Sequence, residues 1–199
     1  MATPSTRLEA VNIMLSAIAQ TPVPSLGSGV NALADMAETI LDEAERDVLS
    51  QSWYFNTEYK VSFPIDSDSF IQLGDNIFHA DSEDPTVHYT KRGQRLYNLT
   101  DHTYEFTGAV ELTVVYGLGW EEMPETARSY VTAKAGRMIA ERYDRDTSII
   151  RSESRNEAEA LLRLTKEDAE MADANPLVDD PAMFRANNFG GRSAIEWGL

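Results

Sequence analysis

The spacing of apolar residues changes twice along the chain, and these changes constrain the fold more than any other feature. Up to about residue 52, apolar side chains recur every three or four residues, which is the period of a helix. From Trp53 the period becomes two, because Tyr59, Val61 and Phe63 alternate with polar residues as in a half-buried strand. Helical spacing returns near Glu121. The pattern predicts an α+β protein in which a β unit interrupts a helical bundle.

Two helices are predicted in the first fifty residues. Thr6 is placed to cap the first helix and Asn31 to cap the second, with the proline- and glycine-rich stretch TPVPSLGSG between them. The second helix carries four acids at helical spacing, separate from its apolar residues. We call them the acidic stripe: Asp35, Glu38, Asp42 and Glu45. A solvated helix face explains such a stripe without any function.

Short strand-like segments separated by polar turns fill residues 53–120. The strands predicted after the first one begin at Phe70, Asn76, Val87, Gln94 and Ala109. One connection has the composition of a hairpin tip, with glycine where a positive φ is needed. We call this connection the β tip: Lys91, Arg92, Gly93 and Gln94. Together the segments predict one small antiparallel β unit.

Two further helices are predicted after the β unit. Pro124 suits the first turn of the third helix, and small residues there, with Val131 among the larger ones, predict the central packing element of the bundle. A fourth helix is predicted from Ser152 to Ala172. Its apolar or small residues at helical spacing are Ala158, Leu161, Leu162, Thr165 and Ala169.

The predicted organisation is a discontinuous antiparallel helical bundle with an inserted antiparallel β domain. The bundle comprises residues 1–52 and 121–174, and the β domain comprises residues 53–120. An extended C-terminal tail, residues 175–199, combines prolines and glycines with large apolar residues. Such a segment is too broken for a core element and too apolar for a disordered chain end, which predicts that it becomes ordered on a partner.

Charge and composition disfavour or exclude several classes of protein. The chain carries 17 Lys and Arg against 33 Asp and Glu, a formal net charge of −16, whereas a protein that wraps duplex DNA has a basic excess. It contains no cysteine, which excludes disulfides and a cysteine nucleophile. The opening residues lack an apolar signal core, and no apolar run reaches the roughly 18 residues of a membrane span. We therefore expect a soluble protein without a membrane partner.

Motifs for metal or cofactor binding are weak, and no cofactor is predicted. His79, His88 and His102 have no metal-binding spacing. The aspartates between residues 66 and 84 do not form an EF-hand loop, because Ile71 occupies the position that needs glycine. An irregular calcium site stays open at this stage.

A carbohydrate-active enzyme is the alternative function. A capsule or exopolysaccharide hydrolase would use paired carboxylates beside an aromatic side chain such as Trp120. The candidate acids are Glu121, Glu122 and Glu125, or else acids of the β unit. The same acids suit the positive end of a helix dipole, which accounts for them without catalysis.

Four segments in order resemble one known family. They are EAVNIMLSAIAQTPVPSL near the start, LDEAERDVLSQSWYFN from Leu41 to Asn56, RLYNLTDHTYEF in the β unit, and WEEMPETARSYVTAKAGRMIAERY from Trp120 to Tyr143. The chain is similar over most of residues 8–170 to the tail tubular protein A family, the adaptor or gatekeeper ring subunits of short-tailed bacteriophages. Beyond residue 175 the resemblance is poor.

The resemblance implies a structural role in a virion. Members of the family form a ring of twelve subunits between the portal protein and the tail nozzle protein, and DNA passes through the lumen without specific binding. It implies assembly in the host cytoplasm, a place in the virion tail, and no catalytic residues.

Three sets of residues are candidates for the contacts of such a ring. The acidic stripe is one candidate for a surface that faces the lumen, and the helix from Ser152 is another, since acids there would repel phosphates and let DNA slide. Aromatic residues of the C-terminal tail are the candidates for portal contact: Phe184, Phe189 and Trp197. The β tip is the candidate for contacts with the nozzle or with tail fibres.

Overall fold

The computed structural model describes residues 5–27, 29 and 31–173, and these form four helices and two antiparallel sheets. The α+β prediction is confirmed, while the domain boundaries stay a prediction. The α-helices are α1 (Arg7–Ala17), α2 (Ala32–Leu49), α3 (Glu125–Ile139) and α4 (Thr147–Asp173). The strands are β1 (Thr57–Phe63), β2 (Ile77–Ser82), β3 (Tyr89–Arg92), β4 (Arg95–Asn98) and β5 (Val110–Tyr116). A 3-10 turn (Trp120–Glu122) precedes α3, and a π turn (Ala140–Asp144) connects it to α4.

Both predicted N-caps are confirmed. Thr6 Oγ1 accepts a hydrogen bond from the Glu9 amide at 3.2 Å, and the Glu9 carboxylate accepts one from the Thr6 amide at 2.7 Å, which completes a capping box. Asn31 Oδ1 accepts from the amides of Leu33 and Ala34, at 2.9 and 3.2 Å. These side chains satisfy amides that have no partner inside the helix, so they fix where each helix begins.

Helix α3 is the central element of the bundle, as predicted, because it packs against α1, α2 and α4. Its Val131 is fully buried. Helix α4 lies close to α3 at Gly136, where a Cβ would lie 3.1 Å from the Glu153 carboxylate. The largest fully buried side chains of this core are Met14, Leu15, Leu41, Leu49, Ile139 and Leu164.

The β unit contains two sheets around a second hydrophobic core. Strand β5 lies between β1 and β2 in an antiparallel sheet, and β3 pairs with β4 in a hairpin. The predicted strand at Phe70 is wrong, because the only pairing described there is an isolated bridge between Gln72 and Arg95. Ile71 and Leu73 are nevertheless buried in the second core. The Asp66 turn before this segment and the turn after Gly74 leave it too short to extend a ladder.

The set of apolar and small residues noted along α4 is not its buried face. All five of its residues are exposed, while Ala160, Leu164 and Asp168 form the buried face. Asp168 tolerates burial because its Oδ1 accepts a hydrogen bond from the Tyr54 amide at 2.8 Å. The helix also begins earlier than expected, at Thr147. Partners on other elements thus determine which face of α4 is buried. The apolar residues of the helix do not determine it by themselves.

A single turn after α2 connects the bundle to the β unit. The Asn56 side chain is buried and donates to the carbonyls of Leu49, at the end of α2, and Tyr116, at the end of β5, at 2.8 and 3.1 Å. Its Oδ1 accepts from the Trp53 amide at 2.9 Å. In the same turn the Tyr54 hydroxyl donates to Glu167 of α4 at 2.5 Å. The turn therefore joins α2, α4 and the central strand.

Candidate interaction surfaces

The acidic stripe lies along α2, and half of it faces α1. Arg7 donates from Nη1 to Glu45 Oε2 at 2.8 Å and forms a second ion pair with Asp42. The Glu45 side chain is only 15% exposed, so these pairs serve the packing of α1 on α2. Asp35 is half-buried, and its carboxylate accepts a hydrogen bond from the Gly29 amide at 3.0 Å.

Two of the four acids are therefore charge-compensated inside the subunit. Glu38 and Asp35 remain the members of the stripe whose charge is not matched by an ion pair among the described residues. Both are half-buried, which leaves part of each carboxylate accessible. Sequence spacing could not separate the two pairs, because Arg7 lies on another helix.

The carboxylates around Trp120 tether the chain near Ser5 to the start of α3. Glu125 accepts from the Ser5 amide at 2.8 Å, and Glu122 accepts from the Gly119 amide at 2.7 Å. Trp120 is buried, and its Nε1 donates to the Ser5 carbonyl at 2.9 Å. Each contact stabilises a chain segment, so these bonds account for Glu122 and Glu125 without catalysis.

Sequence reasoning missed Arg128, a buried cation beside these acids. Its guanidinium donates to the carbonyls of Met123, Ser5 and Glu121 at distances between 2.9 and 3.0 Å. The Glu121 carboxylate lies 3.5 Å away as its ion-pair partner. A single arginine thus holds the 3-10 turn and the segment before α1 together. Nothing in the local sequence distinguishes this arginine from an exposed one.

The β tip has its predicted glycine conformation, but half of it is engaged within the β unit. Gly93 has φ +64°, in the left-handed region. Lys91 Nζ donates to the carbonyls of Gly74 and Ile77 at 2.8 and 2.7 Å, and Gln94 donates to the Asp75 carboxylate at 2.8 Å. Deleting the tip would therefore remove contacts that hold the hairpin against β2.

Arg92 is the member of the β tip best placed for an outside contact. It is exposed, and its guanidinium lies over the Tyr97 ring at 3.7 Å from the centroid. That stacking orients the cation without covering it. Contact of the tip with a nozzle or fibre stays a prediction.

The region considered for an irregular calcium site contains Asp66, whose carboxylate accepts hydrogen bonds within its own turn. Asp66 accepts hydrogen bonds from the Gln72 side chain and from the amides of Phe70 and Asp68, at 2.8 to 2.9 Å. These bonds, first of all that from Gln72, hold the pKa of Asp66 below its ordinary value. Over residues 5–27, 29 and 31–173, no three His, Asp or Glu side chains come together in a way that could hold a metal ion.

The exposed face of α4 is a second feature that sequence reasoning missed. We call it the outer stripe: Ala158, Leu161, Leu162, Thr165 and Ala169. Leu162 is 70% exposed, the largest exposure among the large apolar side chains described. The stripe lies about a third of a turn around α4 from the buried face of Ala160, Leu164 and Asp168, so the apolar residues of α4 extend beyond its buried side. The aromatic candidates Phe184, Phe189 and Trp197 lie outside the described residues.

Comparisons with known proteins identify the family of the chain. A family model described as "Tail tubular protein" matches residues 8–174. The chain therefore belongs to this family, and it is a structural component of a phage tail. Within residues 5–27, 29 and 31–173, every helix is too short or too polar to cross a membrane.

A curated relative supports the same assignment. The chain is 29% identical over 127 residues to "Tail tubular protein A" of Klebsiella phage KP34. The alignment covers 62% of this chain and 66% of the relative, so the chain spans slightly less than two thirds of the relative's length. The resemblance inferred from the four sequence segments is confirmed at the level of the family.

Proposed function

We propose that this chain is the subunit of a head-to-tail adaptor ring that joins the portal to the tail nozzle and forms part of the DNA ejection channel. The observation that carries the proposal is the match to the tail tubular protein family over residues 8–174. The contacts found at the carboxylates near Trp120 agree with a structural role, because these acids cap and tether chain segments.

The charge of the chain suits a channel through which DNA slides. Twelve copies with a net charge of −16 each would bring −192 to one ring. A lumen of this sign repels phosphates, whereas a basic wall would release counterions from DNA and hold it. Asp35 and Glu38 are the residues of the acidic stripe that we assign to the lumen, since Arg7 compensates Asp42 and Glu45.

Complementation of a phage that lacks this chain tests the ring. We expect that, without it, DNA-filled heads accumulate without nozzles, and that the wild-type chain restores complete tails. Electron microscopy of the purified particles should then place the chain as a ring between portal and nozzle. Particles that carry a normal nozzle in the absence of the chain would refute the proposed position.

The lumen assignment is tested on assembled particles. The variant Asp35→Asn/Glu38→Gln keeps hydrogen-bonding side chains but removes two charges per copy, and we expect slower DNA ejection, most clearly at low salt. The control Glu105→Gln/Glu111→Gln removes two exposed charges of the β unit. Equal ejection rates for both variants at low salt would contradict the assignment.

Portal docking is assigned to the C-terminal tail through its aromatic residues. Truncation after Ala174 should abolish docking to the portal and leave the melting temperature of the isolated subunit unchanged, because the tail would order only on its partner. A truncated chain that docks like the full chain would refute this assignment, as would one that melts much lower.

A further inference from the structure

We propose that the outer stripe of α4 is half of the contact between neighbouring copies of this chain, and that the other half is a groove beside α1. The inference rests on the proposed ring, and it names the two surfaces that meet in it. A ring needs such a pair, because a head-to-tail contact joins two different surfaces of the same molecule.

The outer stripe is an apolar surface without a described partner. Its five residues recur at spacings of three and four, so they lie along one side of α4 over about 16 Å at 1.5 Å per residue. None of the five is charged, although α4 is otherwise rich in charged residues. Leu161 and Leu162 are 36% and 70% exposed. An ordinary surface helix is apolar on one face only, and the apolar face of α4 that covers α3 is a different one.

Basic residues flank the outer stripe. Arg155 lies two turns before Leu162 and Lys166 one turn after it, and Arg151 lies at the N-terminal end of the same side. All three are exposed, with the acids Glu159 and Glu170 near them, and Lys166 pairs with Glu170 at 3.7 Å. Arg151 and Arg155 form no ion pair among the described residues, so they are the cations at this edge that remain available to a partner.

The groove beside α1 has the complementary character. It is lined by Ser5, Glu9, Asn12, Ile13, Ser16 and Glu125. Ile13 is 55% exposed and supplies an apolar floor. The carboxylates of Glu9 and Glu125 lie along this floor, and the described lining contains no cation.

The two surfaces match in apolar character and in charge. The leucines of the outer stripe form a ridge that suits a groove with an apolar floor, and helix packing of this kind brings axes within about 8–10 Å. Arg151 and Arg155 would meet the carboxylates of Glu9 and Glu125. Because each copy carries a net charge of −16, neighbours repel at long range, and a local contact of opposite charges offsets that repulsion where they touch.

Cysteine crosslinking tests the contact in assembled tails, since the natural chain has no cysteine. In the variant Ile13→Cys/Leu162→Cys, mild oxidation should link copies into a ladder of dimers, trimers and larger species on a non-reducing gel. Ile13→Cys/Leu161→Cys provides a second register. The matched control is Phe78→Cys/Leu162→Cys, because Phe78 is also exposed, at 39%, but lies in the β unit.

Three results would overturn the inference. The first is that neither Ile13 pair gives a ladder above the control in particles that contain the ring. The second is that Leu162→Cys alone gives complete dimers, which would mean that α4 meets α4. The third is that truncation after Ala174 speeds thiol labelling at position 162 of the isolated subunit, which would mean that the C-terminal tail covers the stripe. If the purified tails lack the chain altogether, the proposed function fails instead.

A charge insertion gives an independent measurement. Leu162→Glu should lower the yield of assembled tails by about tenfold or more and leave the melting temperature of the subunit unchanged, since the side chain is mostly exposed. Ile13→Lys in the same chain should restore part of the yield by supplying the opposite charge. Leu99→Glu is the control at an exposed leucine of the β unit, and an equal loss of yield for both glutamate variants would contradict the inference.

Discussion

Replacement of Asn56 by alanine is expected to destabilise the whole described fold. The substitution removes two donated hydrogen bonds, to the carbonyls of Leu49 and Tyr116, and one accepted from the Trp53 amide. Asn56 is only 2% exposed, so water does not easily replace these bonds. A buried polar group left without a partner costs about 1–3 kcal/mol, and the three losses share one site and are not additive. We expect a loss of about 3 kcal/mol in the free energy of unfolding.

Urea denaturation followed by tryptophan fluorescence measures this loss, because Trp53 and Trp120 are both buried in the bundle core. In a thermal scan the same change corresponds to a fall of about 6–12 °C in the melting temperature for a chain of this size. The matched control is Asn156→Ala, at an exposed asparagine of α4 that bonds only to Glu153 among the described contacts. Its effect should lie within about 0.5 kcal/mol.

A second substitution separates lost bonds from lost volume. Asn56→Asp keeps the size of the side chain and the acceptor for Trp53, but it directs a carboxylate at two carbonyl oxygens. We expect it to destabilise at least as much as Asn56→Ala. If both variants unfold within about 1 kcal/mol of the wild type, the turn does not depend on these bonds and the reasoning is refuted.

Three further predictions concern buried groups. Arg128→Met should lower the free energy of unfolding in urea by about 2–4 kcal/mol. Arg128→Lys should not restore stability, because an ammonium group lacks the planar guanidinium that reaches three carbonyls. Full stability of the lysine variant would contradict this. Val131→Asp should cost about 4 kcal/mol or more by placing an unpaired charge in the core, and an unchanged melting temperature would show that the position is not buried in solution. Burial lowers the pKa of His79 below its ordinary 6.5, so the unfolded chain binds the proton more readily and stability falls as the pH drops through about 6.5. In His79→Gln, the decrease in melting temperature between about pH 7.5 and 5.5 should be smaller than in the wild type, and an equal decrease would exclude His79 as a cause.

Features that depend on neighbouring residues could be predicted from the sequence. Thr6 and Asn31 cap helices through bonds to amides two or three residues away, so their roles are visible locally. The alternation at β1 and the positive φ of Gly93 are local in the same sense. The α+β class follows from the period of the apolar residues alone.

Features that depend on distant residues could not be predicted. Helix α4 has two faces that could be buried, and the one that packs inward is selected by Tyr54, more than 110 residues earlier in the chain, which binds Glu167 and Asp168. The four acids of the acidic stripe look equivalent in the sequence. In the structure they differ, because Arg7 forms ion pairs with Asp42 and Glu45 only. Charged residues can be buried when they find partners, and a pattern of apolar residues does not reveal those partners.

The turn that contains Tyr54 and Asn56 has a mechanical consequence for an assembled tail. It touches the end of α2, the side of α4 and the end of the central strand β5 within four residues. A load applied to the β unit is therefore transmitted to α4 through short hydrogen bonds and not through a compliant linker. Helix α4 carries the outer stripe. A force on the sheet of one subunit would therefore reach the contact that we propose between this subunit and the next.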